Sequence, residues 1–286
     1  MKTYREYVEQ WITLHREAVH ISVPLLPANA IVGSEDRPVV VILSPHPDDE
    51  VIIGGLALRL MREAGFRVVN MAVTLGSNLN RRNERSIELV NCCRHIGFEC
   101  RILNEGKGFE HIRPEAAKTP HFLAAVSALV GQFNVLRPQI IMYPHASDAH
   151  PAHMGTHVLA QEALKCMPID FETVCVETEF WAPIAKPNLM VELTPINVAD
   201  LIGALAFHVG EVTRNPYHLR FTSWLSDNVR RGAERVQQPG SPSPNCDFAI
   251  LYHCMRWEGG EFQAILDSGQ FIDSTQNPGQ LFQRSN

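Results

Sequence analysis

Five consecutive apolar residues, Val39-Val40-Val41-Ile42-Leu43, constrain this chain more than any other feature. Four of the five are β-branched, and such side chains are stiff and favour a pleated surface. An unbroken apolar run has no polar face to turn to water. The strand is therefore expected to be buried on both sides, as in a parallel sheet covered by helices. A helix is expected over 49–64, stopped by Gly65, followed by a strand over 68–75. A helix over 82–95 ended by Gly97 and a short strand over 100–103 come next. After a loop-like stretch at 104–119, the pattern gives a helix over 122–136, a strand over 140–143 and a helix over 154–165.

This alternation predicts an α/β fold: a Rossmann-like, doubly wound, mostly parallel sheet with helices on both faces, in a single elaborated domain. Residues 1–38 are expected to add an N-terminal helix over 3–18, with Tyr4, Val8, Trp11, Ile12 and Leu14 on one face, and a Pro-interrupted wrapping segment. The α/β domain itself is assigned to 39–268. Past Pro168 the pattern loosens. Strands are expected at 174–176 and 189–193, helical stretches near 196–208 and 217–236, a Pro/Ser-rich loop at 237–246 and a last strand at 248–252. The polar tail, 269–286, is expected to fray.

Composition narrows the function classes. The 286 residues are 45% hydrophobic and 20% charged, which suits a folded core. A net charge of −6 leaves no electrostatic footprint for nucleic acid. The seven cysteines are odd in number and show no CxxC spacing, so neither a disulfide framework nor a thiolate zinc site is indicated. The start of the chain lacks the apolar stretch of a signal peptide, and no segment approaches the ~20 apolar residues of a membrane span. A cytoplasmic protein acting on a small molecule is expected, with a homo-oligomer left open.

Two constellations carry chemistry. Pro45-His46-Pro47-Asp48-Asp49-Glu50 directly follows the first buried strand and opens a helix, at the sheet edge where open α/β folds bind ligands. Four ligand or base side chains within five positions would cost too much to bury unpaired. His46 and Asp49 can converge on one borderline metal such as zinc, leaving the carboxylate between them to face a metal-bound water. A solvated acidic N-cap explains one Asp but not the preceding His-Pro. The second constellation, Pro144-His145-Ala146-Ser147-Asp148-Ala149-His150-Pro151-Ala152-His153, follows the strand at 140–143, with His157 beyond it. One histidine here supplies a third metal ligand. A lone histidine is more often a surface or core-satisfied imidazole, which applies to His145 and His157 more than to His150 and His153. Trp181, Trp224 and Trp257 are expected in core or loop packing, and Cys92-Cys93 in the core. No Gly-x-Gly-x-x-Gly opens a helix and no Gly-x-Ser-x-Gly elbow is present, which argues against a dinucleotide site and a serine hydrolase.

With these motifs the chain resembles the LmbE-like, or PIG-L, family of zinc-dependent N-deacetylases. The first motif matches in full, and Asp148-Ala149-His150-Pro151-Ala152-His153 is similar to the second. The resemblance implies metal binding by His46, Asp49 and His153, one Zn2+ per chain, with other divalent metals compatible with the same set. It implies Asp48 as general base and His150 as the group that stabilises the oxyanion and helps protonate the leaving amine. Arg81, in Arg81-Arg82-Asn83-Glu84, matches a family position that contacts substrate. The family often has Asp where this chain has Ala152, so Asp148 is expected to orient His150 instead. It often has Ser-Gln where this chain has Gly210-Glu211. The expected activity is a metal-dependent amidohydrolase removing an N-acetyl group from a small amino-sugar-like substrate such as an N-acetylglucosamine conjugate. The alternatives are a non-catalytic metal- or ligand-binding protein on the same scaffold, or a metal-dependent hydrolase of another bond.

Overall fold

The structure, a computed structural model, describes residues 3–27 and 36–282. Residues 28–35 of the expected wrapping segment and 283–286 of the tail lie outside the described residues. Along the chain come α1 (Tyr4–Ala18), β1 (Val39–Ser44), α2 (Asp49–Ile52), α3 (Gly55–Ala64), β2 (Arg67–Ala72), α4 (Arg82–Ile96), β3 (Glu99–Ile102), α5 (Pro120–Leu136), β4 (Ile140–Pro144) and α6 (Pro151–Lys165). They are followed by β5 (Thr173–Thr178), β6 (Leu189–Glu192), α7 (Pro195–Leu205), α8 (Val209–Arg214), α9 (Phe221–Gly232), β7 (Ala249–Glu258), β8 (Glu261–Ala264) and β9 (Gln270–Ile272).

β1 is buried along its whole length. Val40 and Ile42 join the core on one sheet face, Val39, Val41 and Leu43 the core on the other. This is the two-residue period of a strand covered on both sides, and each such side chain taken out of water contributes roughly 1.5–3 kcal/mol. The first face packs on Leu56 of α3, Leu89 of α4 and Leu201 of α7, the second on Phe122 and Phe133 of α5 and Leu159 of α6. β1 pairs in parallel with β2 on one side and with β4 on the other, and the parallel set runs β3-β2-β1-β4-β5. The single domain is thus the mostly parallel α/β fold expected, with helices on both faces. The chain winds outward from β1 through β2 and β3, then crosses back to β4. The gap between the ends of β1 and β4 is therefore the topological switch point, where such sheets bind ligands.

Several elements differ from expectation. The helix at 49–64 is two helices, α2 and α3. At the break a Cβ on Gly54 would lie 2.3 Å from the Glu50 carbonyl oxygen, and one on Gly55 2.9 Å from a Leu193 methyl. The bare backbone lets α3 lie directly against the segment leaving β6. The last strand is longer than 248–252: β7 runs for ten residues and turns through Gly259-Gly260, both at positive φ, into β8. β7 runs antiparallel to β5, so the far side of the sheet is mixed. The stretch at 217–236 divides into a 3-10 turn over Tyr217–Arg220, α9, and a π turn over Ala233–Gln237.

The tail does not fray where it is described. β9 pairs in parallel with β6, and Phe282 is buried. The fully buried Arg59 guanidinium donates to the carbonyls of Asp273 (3.0 Å) and Gln276 (2.7 Å), tying this segment to α3. By contrast α1 forms as expected, with a Thr3–Glu6 capping box, but buries no residue of its own. Among the described residues, no helix is long and apolar enough to cross a membrane.

Candidate active site

The two expected motifs meet at the switch point. His46 follows β1, and its backbone N–H donates to Asp49 Oδ2 (2.9 Å), while its Nδ1 lies 3.5 Å from the same oxygen. His153, on the first turn of α6, reaches Asp49 Oδ2 from the other side, with Nε2 at 3.3 Å. His150 brings a third imidazole, so that ligand atoms of His46, His150 and His153 all lie within 4.8 Å of one another. Four donor groups therefore converge. Burial alone would raise the Asp49 carboxyl, but the imidazoles of His153 and His46 outweigh it and hold it well below the usual carboxylate range. Burial also works against charge on His153, yet Asp49 and Asp148 push it up to about 10.

Asp148 is not where it was expected. Its Oδ2 accepts from His153 Nδ1 at 2.6 Å, and its Oδ1 accepts the backbone N–H groups of Phe180 (3.2 Å) and Ala182 (3.0 Å). It therefore orients His153 rather than His150. A different device fixes His150, which caps α6. Pro151 has no N–H, so the Ala152 N–H is the free donor there, and it donates to His150 Nδ1 at 3.2 Å. A neutral imidazole accepting at Nδ1 carries its proton on Nε2, and that nitrogen is left to donate. Burial, helped by His46 and His153, lowers the His150 pKa.

Asp48 adopts φ 112°, a backbone conformation that costs a side-chain-bearing residue roughly 1–3 kcal/mol. It stands at the N-cap of α2 but makes no capping bond through its side chain, so the acidic-cap explanation of this residue does not hold. Instead its N–H donates to Glu50 Oε2 (2.8 Å), and its Oδ2 accepts the Tyr217 hydroxyl (2.7 Å). Burial, then the charge of Asp49, pushes its carboxyl up to about 7, where a general base is effective.

Whether these residues suit a metal is testable on one atom. His153 Nε2 is buried and has no hydrogen-bond partner. Such an atom is costly to bury. Here it faces a carboxylate, with another carboxylate holding the opposite ring nitrogen, the arrangement in which metal-ligating histidines are oriented. The donor set of imidazole and carboxylate suits a borderline dication.

Residues 41–164 match the family described as PIG-L, GlcNAc-PI de-N-acetylase. Residues 41–164 form a PIG-L, or LmbE-like, domain. No curated protein matches the sequence. Solved structures extend the likeness of fold beyond the PIG-L domain. N,N'-diacetylchitobiose deacetylase from Pyrococcus horikoshii is 17% identical, with a TM-score of 0.56, over 89% of this chain and 94% of that one. The zinc inhibited form of teicoplanin deacetylase Orf2 is 14% identical, with a TM-score of 0.55, over 77% and 98%. GalB, the 4-carboxy-2-hydroxymuconate hydratase from Pseudomonas putida KT2440, is 14% identical, with a TM-score of 0.58, over 76% and 95%. A hydratase shares this fold, so the fold alone does not name a reaction.

Around the PIG-L motifs stand residues that sequence reasoning missed or misplaced. Arg81, expected to be open to substrate, is engaged by carboxylates: Nη1 lies 2.6 Å from Glu211, and Glu88 and Glu84 are each 3.6 Å away. Arg85 takes the place beside the first motif, with Nη2 donating to the Pro47 carbonyl at 2.9 Å. Behind Asp48, the buried Glu50 accepts from His208 Nε2 at 2.8 Å. Burial opposes charge on His208, but Glu50 outweighs it and raises the pKa. Tyr217 and His208 lie far along the chain, outside the PIG-L match, and carry no motif that flags them. His145 and His157 are the satisfied imidazoles expected, each bonded to a backbone carbonyl, of Ala182 (2.9 Å) and Pro144 (3.0 Å). Cys92 and Cys93 are core residues and Trp257 is buried, but Trp181 is 58% exposed and stacks on His150.

Proposed function

We propose that this protein is a metal-dependent N-deacetylase that hydrolyses the acetamide of a small amino-sugar-like molecule. The PIG-L match and the deacetylases among the structures of like fold support the reaction class. The observation that carries the reading is the buried Nε2 of His153, which has no hydrogen-bond partner and faces Asp49 beside His46 while Asp148 holds Nδ1 on the other side of the ring. On this reading His46, Asp49 and His153 hold one zinc ion. Asp49 is preferred over His150 as the third ligand because its carboxylate touches both other ligands. When bound, zinc lowers the pKa of a coordinated water towards ~7 and polarises the amide carbonyl.

The chain's own residues then divide the work. Asp48, held at a fixed angle by Glu50 and Tyr217, accepts the proton of the attacking water. His150, whose neutral ring carries its proton on Nε2, donates that N–H to the developing oxyanion, and Asp48 passes the proton it took from the water to the leaving nitrogen. A non-catalytic metal binder would not need Asp48 in a strained conformation at a pKa matched to proton transfer.

The test is release of acetate from a panel of N-acetylated sugars and amines by protein loaded with one equivalent of metal. Loading is kept stoichiometric because a zinc inhibited form is described for the teicoplanin enzyme. Asp48→Asn is expected to retain metal and lose about 10²–10⁴-fold in turnover. Near-normal turnover in that variant would assign the proton to another group.

A further inference from the structure

Trp181 is the large aromatic side chain at this site that packing does not account for. It stacks on His150, ring centroids 5.4 Å apart and planes inclined by 27°, and it meets His153 edge-on at 6.5 Å. Phe180 covers one edge at 5.2 Å, yet Trp181 stays 58% exposed. Its backbone is held firmly. The N–H groups of Phe180 and Ala182, on either side of it, both donate to Asp148 Oδ1, and Glu179 just before them is paired with Arg231 at 2.6 Å. The carboxylate that orients His153 thus also sets the position of the indole. An exposed indole on a clamped backbone is a surface offered to something flat.

We propose that Trp181 is the platform for the leaving-amine side of the substrate, stacking against a ring carried on the scissile nitrogen. This rests on the deacetylase reading above, because the direction comes from the acyl group which that reading assigns. An acetyl group has no ring to lay on an indole, so a ring that reaches Trp181 is carried on the nitrogen. The indole stacked on the imidazole then lies under the amine's substituent and not under the acyl group. The C–H face of a pyranose or the face of an aryl ring suits such a surface. An open-chain amine has no face to lay on it.

The test varies the two sides of the amide separately. One series keeps the acetyl group and changes the amine from methyl 2-acetamido-2-deoxyglucoside to N-acetylethanolamine. The other keeps the glucoside and changes the acyl group from acetyl to propionyl. Trp181→Ala is expected to raise KM for both glucosides by about tenfold or more, with kcat and metal content held, and to move the open-chain amide by less than about twofold. Trp181→Phe is expected to recover most of the loss. An unchanged KM for the glucosides in Trp181→Ala, or an equal loss for the open-chain amide, overturns the platform. Should no amide turn over, the deacetylase reading fails separately, and calorimetric binding of methyl 2-amino-2-deoxyglucoside decides the platform. Weaker binding in Trp181→Ala supports it, and equal binding, or none to the wild-type protein, overturns it.

Discussion

Asp148 links three functions through one carboxylate: it holds the His153 ring, closes the Phe180–Ala182 turn and so sets Trp181. Sequence reading paired it with His150 because the two are close in the chain. The decisive fact was the Ala152 N–H, which satisfies His150 Nδ1 and leaves no place for the carboxylate there. His153→Ala is expected to fold and lose most of its metal. Asp148→Asn keeps the shape but weakens the hold on the imidazole, and should reduce metal affinity by about 10–100-fold. His150→Ala should keep its metal and lose turnover. Competition with a chromogenic chelator reads all three. Metal lost from His150→Ala and kept by His153→Ala would exchange the two roles.

At the scale of elements, the site exists because β1 and β4 are neighbours whose connections leave in opposite directions. β1 was legible because a strand buried on both faces writes an unbroken apolar run. The break between α2 and α3 was not legible, because it depends on Leu193 and Ile250 approaching Gly55 from elsewhere in the chain. A similar close approach fixes α6, which presents both His150 and His153. A Cβ on Gly155 would lie 2.4 Å from the Ile112 carbonyl oxygen and 2.5 Å from the Arg113 backbone. Backbone cannot yield as a flexible side chain can. Gly155→Ala is therefore expected to destabilise the protein by about 1–3 kcal/mol, and to lower metal affinity as α6 shifts. Thermal melts and metal titration of the variant check this. An unchanged Tm would mean that α6 has room to move.

At the scale of the whole molecule, stability carries a pH signature from β5. Burial pushes the Glu177 carboxyl from its ordinary 4.5 up to about 7. Its side chain lies 3.5 Å from His157 Nδ1, which bonds the Pro144 carbonyl instead. A carboxyl raised on folding favours the folded state below its unfolded value, and that contribution fades as pH rises from about 4.5 to about 7. Glu177→Gln removes the charge, so its stability relative to the wild-type protein should grow over that interval, by roughly 2–3 kcal/mol in total. Denaturant unfolding at pH 5 and pH 8 measures the gap, and a gap independent of pH would show that Glu177 is solvated. The sequence by itself determined the parallel α/β core and the meeting of His46, Asp48, Asp49, His150 and His153. Strand burial and motif placement at strand ends are local properties, and parallel strands put their ends on one edge. Tertiary structure decided the rest. It bonded Tyr217 and His208 to the first motif from more than a hundred and fifty residues away, and drew Arg81 to Glu211. It folded the polar tail onto Arg59 because a buried guanidinium needs carbonyl acceptors and that tail supplies them.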